Sequence, residues 1–183
     1  MEIILYQPEI PPNTGNVARL CAATGTPLHL IEPLGFSLED RYLKRAGLDY
    51  WPSVDLRVWP DWERFANDWP GLRLVFTSAR RGLPLHHFQF RPGDGLVFGP
   101  ETRGCPPWLL DRYPDRLVNI PIWGPVRSLN LSTAAGVVLY EALRQTGALD
   151  RDLEKNEPGQ GNPGSDQGKQ VRARGVAHKE GLY

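Results

Sequence analysis

Three short segments gather the residues of this chain that suit chemistry, and each follows an apolar run. The first, Pro8-Glu-Ile-Pro-Pro-Asn-Thr-Gly-Asn-Val-Ala-Arg-Leu-Cys21, begins as a stiff proline loop. It delivers the chain to Asn13, a residue type that caps helix N-termini, with Arg19 about one and a half turns further on. In the second, Leu96-Val-Phe-Gly-Pro-Glu-Thr-Arg-Gly-Cys-Pro-Pro107, a buried run ends at Gly99-Pro100, and Glu101 and Arg103 follow at once. Gly99 permits close approach to the backbone, and ligands of open α/β sheets sit beyond the carboxyl ends of strands. The third, Ile120-Pro-Ile-Trp-Gly-Pro-Val-Arg-Ser-Leu-Asn-Leu-Ser-Thr-Ala-Ala135, places Arg127, Ser128 and Asn130 just ahead of a strongly apolar stretch. Polar groups held there must be satisfied by caps or by a ligand.

Each segment also has a plainer reading. The first fits an ordinary strand–turn–helix junction with a surface arginine. The second fits a tight turn closed by a local Glu101–Arg103 pair. In the third, Ser128 and Asn130 fit helix capping.

Common signatures are missing. Gly93-Asp-Gly95-Leu-Val-Phe-Gly99 has one residue too many for GxGxxG, and there is no phosphate-binding Walker loop, GxSxG elbow or HExxH. The four histidines (His29, His86, His87, His178) and two cysteines (Cys21, Cys105) have no metal-ligand spacing, so no metal is expected.

The elements that must position these segments alternate in type. Ile3–Tyr6, Leu28–Ile31, Leu72–Thr77, Gly95–Phe98 and Leu117–Ile122 are short apolar runs that read as buried strands. Between them, Asn16–Thr24, Leu38–Ala46, Asp61–Asp68, Trp108–Arg112 and Leu131–Gln145 read as helices. Continuous apolar strands interleaved with helices predict an α/β fold with a mostly parallel sheet. The last helix is apolar around much of its circumference, which predicts deep burial or sharing with a second subunit.

The chain has 183 residues, 40% hydrophobic and 23% charged, with 21 basic and 21 acidic side chains. Zero net charge confines any nucleic-acid contact to a local patch. No window reaches the ~20 apolar residues of a membrane span, and Met1-Glu-Ile-Ile-Leu-Tyr-Gln-Pro8 lacks the basic start of a secretory signal. Two unpatterned cysteines suit a reducing cytoplasm. From Arg151 to Tyr183 six glycines, two prolines and eleven charged residues leave little to bury. The expected organisation is therefore one domain over 1–150 and a flexible tail over 151–183.

Taken together, Asn13–Arg19, Gly99-Pro-Glu-Thr-Arg-Gly104 and Arg127-Ser-Leu-Asn-Leu-Ser132 resemble the three motifs of the SPOUT methyltransferases. The branch most similar is that of the tRNA (cytidine/uridine) wobble 2′-O-methyltransferases. Pro8–Asn16, Arg19-Leu-Cys21, Leu28-His-Leu-Ile-Glu-Pro33 and Arg45-Ala-Gly-Leu-Asp-Tyr50 resemble it almost word for word, and the likeness spans roughly 1–147. Trp123-Gly-Pro-Val126 departs from it, and the tail has no counterpart.

The resemblance implies a parallel α/β sheet flanked by helices whose C-terminal segment forms a deep trefoil knot. It implies a cytoplasmic homodimer, packed through the first and last helices, that methylates the wobble ribose 2′-hydroxyl of a tRNA anticodon stem-loop from S-adenosylmethionine. Thr77, Ser78, Gly99, Ile120, Ser128 and Leu129 would hold the cofactor. Asn13, Arg19, Glu101, Ser128 and Asn130 would form the catalytic group. Family proposals make Arg19 the base, but a guanidinium stays protonated up to about pH 12. Arg19 is better suited to holding the target phosphate and stabilising the developing alkoxide. Arg41, Lys44, Arg45, Arg103 and Arg127 would contact RNA phosphates. Two other readings are another SPOUT 2′-O-methyltransferase, acting on ribosomal RNA or a different tRNA position, and a non-catalytic RNA-binding homologue.

Overall fold

A computed structural model describes residues 1–38 and 51–150. The helix predicted over Leu38–Ala46 lies, beyond Leu38, outside the described residues, as do the basic residues Arg41, Lys44 and Arg45 and the tail over 151–183. Seven strands form one sheet: β1 (Glu2–Tyr6), β2 (Leu28–Ile31), β3 (Leu56–Trp59), β4 (Leu74–Thr77), β5 (Leu83–Pro84), β6 (Gly95–Phe98) and β7 (Leu117–Asn119). Their order is β3-β2-β1-β6-β4-β7-β5, and every pairing is parallel. The helices are α1 (Pro11–Thr24), α2 (Trp62–Asp68), α3 (Pro107–Leu110) and α4 (Leu131–Gln145).

Alternation along each strand explains the unbroken apolar runs. Ile3, Leu5, Leu28, Leu30, Leu96 and Phe98 pack on one face with Val17, Ala18 and Cys21 of α1 and Val138, Leu139 and Ala142 of α4. Ile4, Tyr6, Ile31, Val97 and Phe76 pack on the other with Trp62 and Phe65 of α2 and Leu109 of α3. With helices on both faces, both side-chain sets of a central strand are buried, so neither needs to be polar. His29, fully buried, accepts from Trp59 Nε1 at 3.0 Å and lies 3.0 Å from Glu2 Oε2. With Nδ1 accepting, the ring proton sits on Nε2 and is donated to Glu2.

The predicted elements differ from the observed ones by one or two residues at β1, β4, α2 and α3. There Glu2–Tyr6, Leu74–Thr77, Trp62–Asp68 and Pro107–Leu110 replace Ile3–Tyr6, Leu72–Thr77, Asp61–Asp68 and Trp108–Arg112. The differences are larger at α1, β7, β3 and β5. α1 starts at Pro11 with Ile10 as its N-cap, not at Asn16 with an Asn13 cap. Pro11 and Pro12 suit a helix start because their missing N–H groups would have no intrahelical partner there. β7 ends at Asn119 rather than Ile122. β3 and β5 were not expected. Both are edge strands, one half-exposed with Arg57 inside it, the other two residues long with a proline, and they owe their conformation to a neighbour more than to their composition.

The order of the last strands has a consequence for the site. Thr77 of β4 and Leu83 of β5 both pair with Val118, one on each side of β7. The intervening residues 78–82 therefore form a strap across β7. Ser78 N donates to Val118 O at 2.9 Å, and Asn119 Nδ2 donates to the Gly82 carbonyl at 2.8 Å. Gly82 has φ +100°, and a Cβ there would lie 2.3 Å from the Leu117 carbonyl carbon and oxygen. Only glycine combines that conformation with that approach.

Candidate active site

Because every pairing is parallel, the strands share one carboxyl edge, and the loops after β1, β4, β6 and β7 meet there. They enclose a cavity of about 1030 Å³. Most of the residues singled out from the sequence line it. They are Asn13 from the first segment, Thr77 and Ser78 from the end of β4, and Gly99, Glu101 and Arg103 from the second segment. Ile120, Arg127, Ser128, Leu129 and Asn130 come from the approach to α4. Arg19 does not line it. It lies on the exposed stripe of α1 formed with Pro12, Asn16 and Ala23.

A polar network ties the three segments together. Asn13, 6% exposed, donates from Nδ2 to Glu101 Oε1 at 3.0 Å and accepts from Asn130 Nδ2 at 2.8 Å. Asn130 Oδ1 accepts from Ser132 N and Thr133 N, so this residue caps α4 and links the caps of the site at the same time. Glu101 also accepts from the backbone N–H groups of Glu9 (2.8 Å) and Ile10 (3.2 Å). Glu9 returns the contact by accepting from Thr102 N and Thr102 Oγ1, both at 3.0 Å. Those Thr102 donors, the hydroxyl first, hold the Glu9 carboxyl below its ordinary value. The local Glu101–Arg103 pair is thus not formed; Arg103 donates to Gln7 Oε1 at 3.2 Å instead. Ser128 is exposed and does not cap the helix; Asn130 alone fills that role.

Gly99 is needed for a reason other than ligand approach. A Cβ at this position would lie 2.0 Å from Cys105 N and 2.3 Å from Gly104 C. The space is taken by the chain's own return, which folds Pro100–Gly104 into the cavity wall. Thr77 Oγ1 is buried, lacks any partner and belongs to a lining residue, as expected where a ligand atom completes the bonding. Cys105 also lines the cavity, but burial pushes its thiol up to about 12, so it offers no thiolate nucleophile at neutral pH. Among the described residues no cluster of three or more His, Cys, Asp or Glu side chains could hold a metal, and no helix is long and apolar enough to cross a membrane.

Sequence reasoning missed the Glu9–Thr102 clasp and two arginines of the strap, Arg80 and Arg81, both of which line the cavity. The signal for the arginines was present. Arg80-Arg81-Gly82 is a basic pair ahead of a glycine, placed just after a buried strand.

The chain with this parallel α/β sheet and strand-edge cavity matches the SpoU rRNA Methylase family over residues 1–140 and belongs to that family. Within it, the chain is 53% identical over 146 residues to a tRNA (cytidine(34)-2′-O)-methyltransferase of Methylovorus glucosotrophus, covering 79% of this chain and 94% of the relative. It is 48% identical over 149 residues to the enzyme of the same name from Escherichia coli, covering 80% and 94%. A solved structure described as giving insight into 2-OH methylation of C/U34 on tRNA superposes with a TM-score of 0.75 at 55% identity, covering 79% of this chain and 94% of that one. The SpoU methyltransferase AviRb from Streptomyces viridochromogenes, solved in complex with AdoMet, superposes with a TM-score of 0.68 at 26% identity, covering 79% and 57%.

Proposed function

We propose that this chain methylates the 2′-hydroxyl of the wobble cytidine or uridine in the tRNA anticodon loop, using S-adenosylmethionine, as a cytoplasmic homodimer. The observation that carries this is the Glu101–Asn13–Asn130 network, which joins all three segments at the wall of one cavity. Relatives that carry the wobble methyltransferase name match across nearly their whole length.

The cavity suits the cofactor in volume, at the upper limit of the usual range for small-molecule sites, and in its one orphaned hydroxyl, Thr77 Oγ1. Thr77, Ser78, Gly99, Ile120, Ser128 and Leu129 are assigned to hold it. When bound, S-adenosylmethionine supplies an electrophilic methyl group on a sulfonium. The residues then have to place a ribose hydroxyl in line with that methyl and stabilise the oxygen as its proton leaves. Asn13 is fixed at both ends of its amide, so it keeps one N–H and one lone pair to orient the ribose.

Dimerisation accounts for the position of Arg19. The helices α1 and α4 pack against each other, and Val137 and Tyr140 of α4 leave apolar surface open at 40% and 48% exposure. With Trp123 and Leu149 they border a groove of about 470 Å³. A partner seated on this surface meets the α1 stripe as well, and we assign Arg19 to the partner's cavity. Val137→Glu is expected to convert the dimer to a monomer, as light scattering on the full chain would record; an unchanged dimer would place the interface elsewhere. We further infer the trefoil knot, for which the 78–82 strap across β7 is the supporting feature.

The reading is tested by transfer of a labelled methyl group to an anticodon stem-loop RNA. Label should reach RNA bearing a wobble 2′-hydroxyl and be absent from RNA with a 2′-deoxy wobble nucleotide. Equal labelling of both would overturn it.

A further inference from the structure

Four arginines from three segments rim the cavity: Arg80 and Arg81 on the strap, Arg103 after β6 and Arg127 before α4. One carboxylate, Glu101, stands among the lining residues, and its oxygens accept from Glu9, Ile10 and Asn13. The cofactor's single carboxylate can use one of these cations at most, and its sulfonium and ammonium none, whereas a polyanion can use them all. Two of the four are engaged. Arg81 pairs with Asp111 at 2.8 Å, and Arg103 donates to Gln7. The side chains of Arg80 and Arg127 are exposed and make no hydrogen bond or ion pair among the described residues.

The backbone under Arg80 is unusually well fixed for an exposed loop. Ser78 Oγ accepts from Arg80 N at 3.3 Å and from Arg81 N at 3.2 Å, which sets the turn. One end of the strap is bonded to Val118 and the other to Asn119. A guanidinium mounted on a fixed backbone loses less freedom on gripping a phosphate, and its planar fork matches two phosphate oxygens.

We propose that the Ser78–Gly82 strap is an RNA-gripping element, in which Arg80 holds a backbone phosphate beside the nucleotide that enters the cavity. Arg81, braced on Asp111, adds to the same positive field. This rests on the RNA-methylation reading above and names a contact that reading does not contain.

The test is binding of a synthetic anticodon stem-loop RNA to the full chain over a salt series, with Arg80→Ala and Arg80→Lys alongside the native protein. Arg80→Ala should bind about tenfold more weakly at low salt, and its plot of log affinity against log salt should be shallower by about one. Arg80→Lys should keep the native slope, because the charge remains, and recover only part of the affinity. S-adenosylmethionine affinity should not move in either variant. A native protein that binds and methylates the stem-loop, with Arg80→Ala matching it in affinity and slope, would overturn the strap assignment alone. A native protein that neither binds nor methylates it would overturn the methylation reading and the strap together.

Discussion

Arg19→Ala is expected to lose on the order of 10²–10³ in single-turnover methyl transfer while keeping its fold, its dimer and its cofactor affinity. The residue lies outside the cavity lining of its own chain, so nothing that holds the cofactor is removed with it. If it acts chiefly as charge develops on the ribose oxygen, the loss falls on turnover more than on RNA affinity. Arg19→Lys should rescue little, since an ammonium cannot reproduce a bidentate fork. A mixed dimer makes the assignment sharper. One protomer carries Arg19→Ala and the other Glu101→Ala, each inactive as a homodimer. If Arg19 serves the partner's cavity, the mixed dimer has one site with both residues intact and recovers activity. If it serves its own, both sites are broken and none returns. Near-native turnover in the Arg19→Ala homodimer would leave Arg19 as a surface arginine on an ordinary helix.

Gly99→Ala should abolish measurable S-adenosylmethionine binding. The added carbon would meet Cys105 N at 2.0 Å and Gly104 C at 2.3 Å, both backbone atoms that cannot swing aside as a side-chain tip can. Relief requires moving the Pro100–Gly104 return, and with it Glu101, its hold on Asn13 and the cavity wall. Overpacking of this kind costs about 1–3 kcal/mol, so the melting temperature should fall by several degrees. Gly71→Ala is the control, since its added carbon has nothing within 4 Å. Calorimetry with the cofactor and thermal melting on the same preparations would show native binding in the control and none in Gly99→Ala. Native cofactor affinity in Gly99→Ala would mean that the Gly99–Cys105 approach does not shape the site.

The parts of the fold that the sequence made legible are those buried on both faces. Leu28–Ile31 and Gly95–Phe98 match their strands residue for residue, because a strand between two helical layers is buried on both faces and therefore mostly apolar. His29 is the polar exception, satisfied by Trp59 and Glu2. Leu131–Gln145 matches α4 because its length and periodicity leave no other element. β3 and β5 were illegible because an edge strand takes its register from its neighbour. Asn13 was misread as a cap. Capping preference is a local rule, and two prolines had already started the helix. The site was legible only as three separate polar segments. Glu101 and Asn130 lie 88 and 117 residues from Asn13, and no spacing rule links positions so far apart. Family resemblance supplied that link, and it was silent on Arg80 because a basic pair on a loop looks like any solvated turn.

The central claim is that this cavity directs a methyl group to one ribose oxygen. Nucleoside mass spectrometry tests it most directly, on tRNA from cells with and without the protein and on tRNA treated with the purified chain and S-adenosylmethionine. The expected product is 2′-O-methylcytidine or 2′-O-methyluridine at the first anticodon position, lost without the protein and restored by adding it. Methylation confined to a base, to another tRNA position or to ribosomal RNA would contradict it.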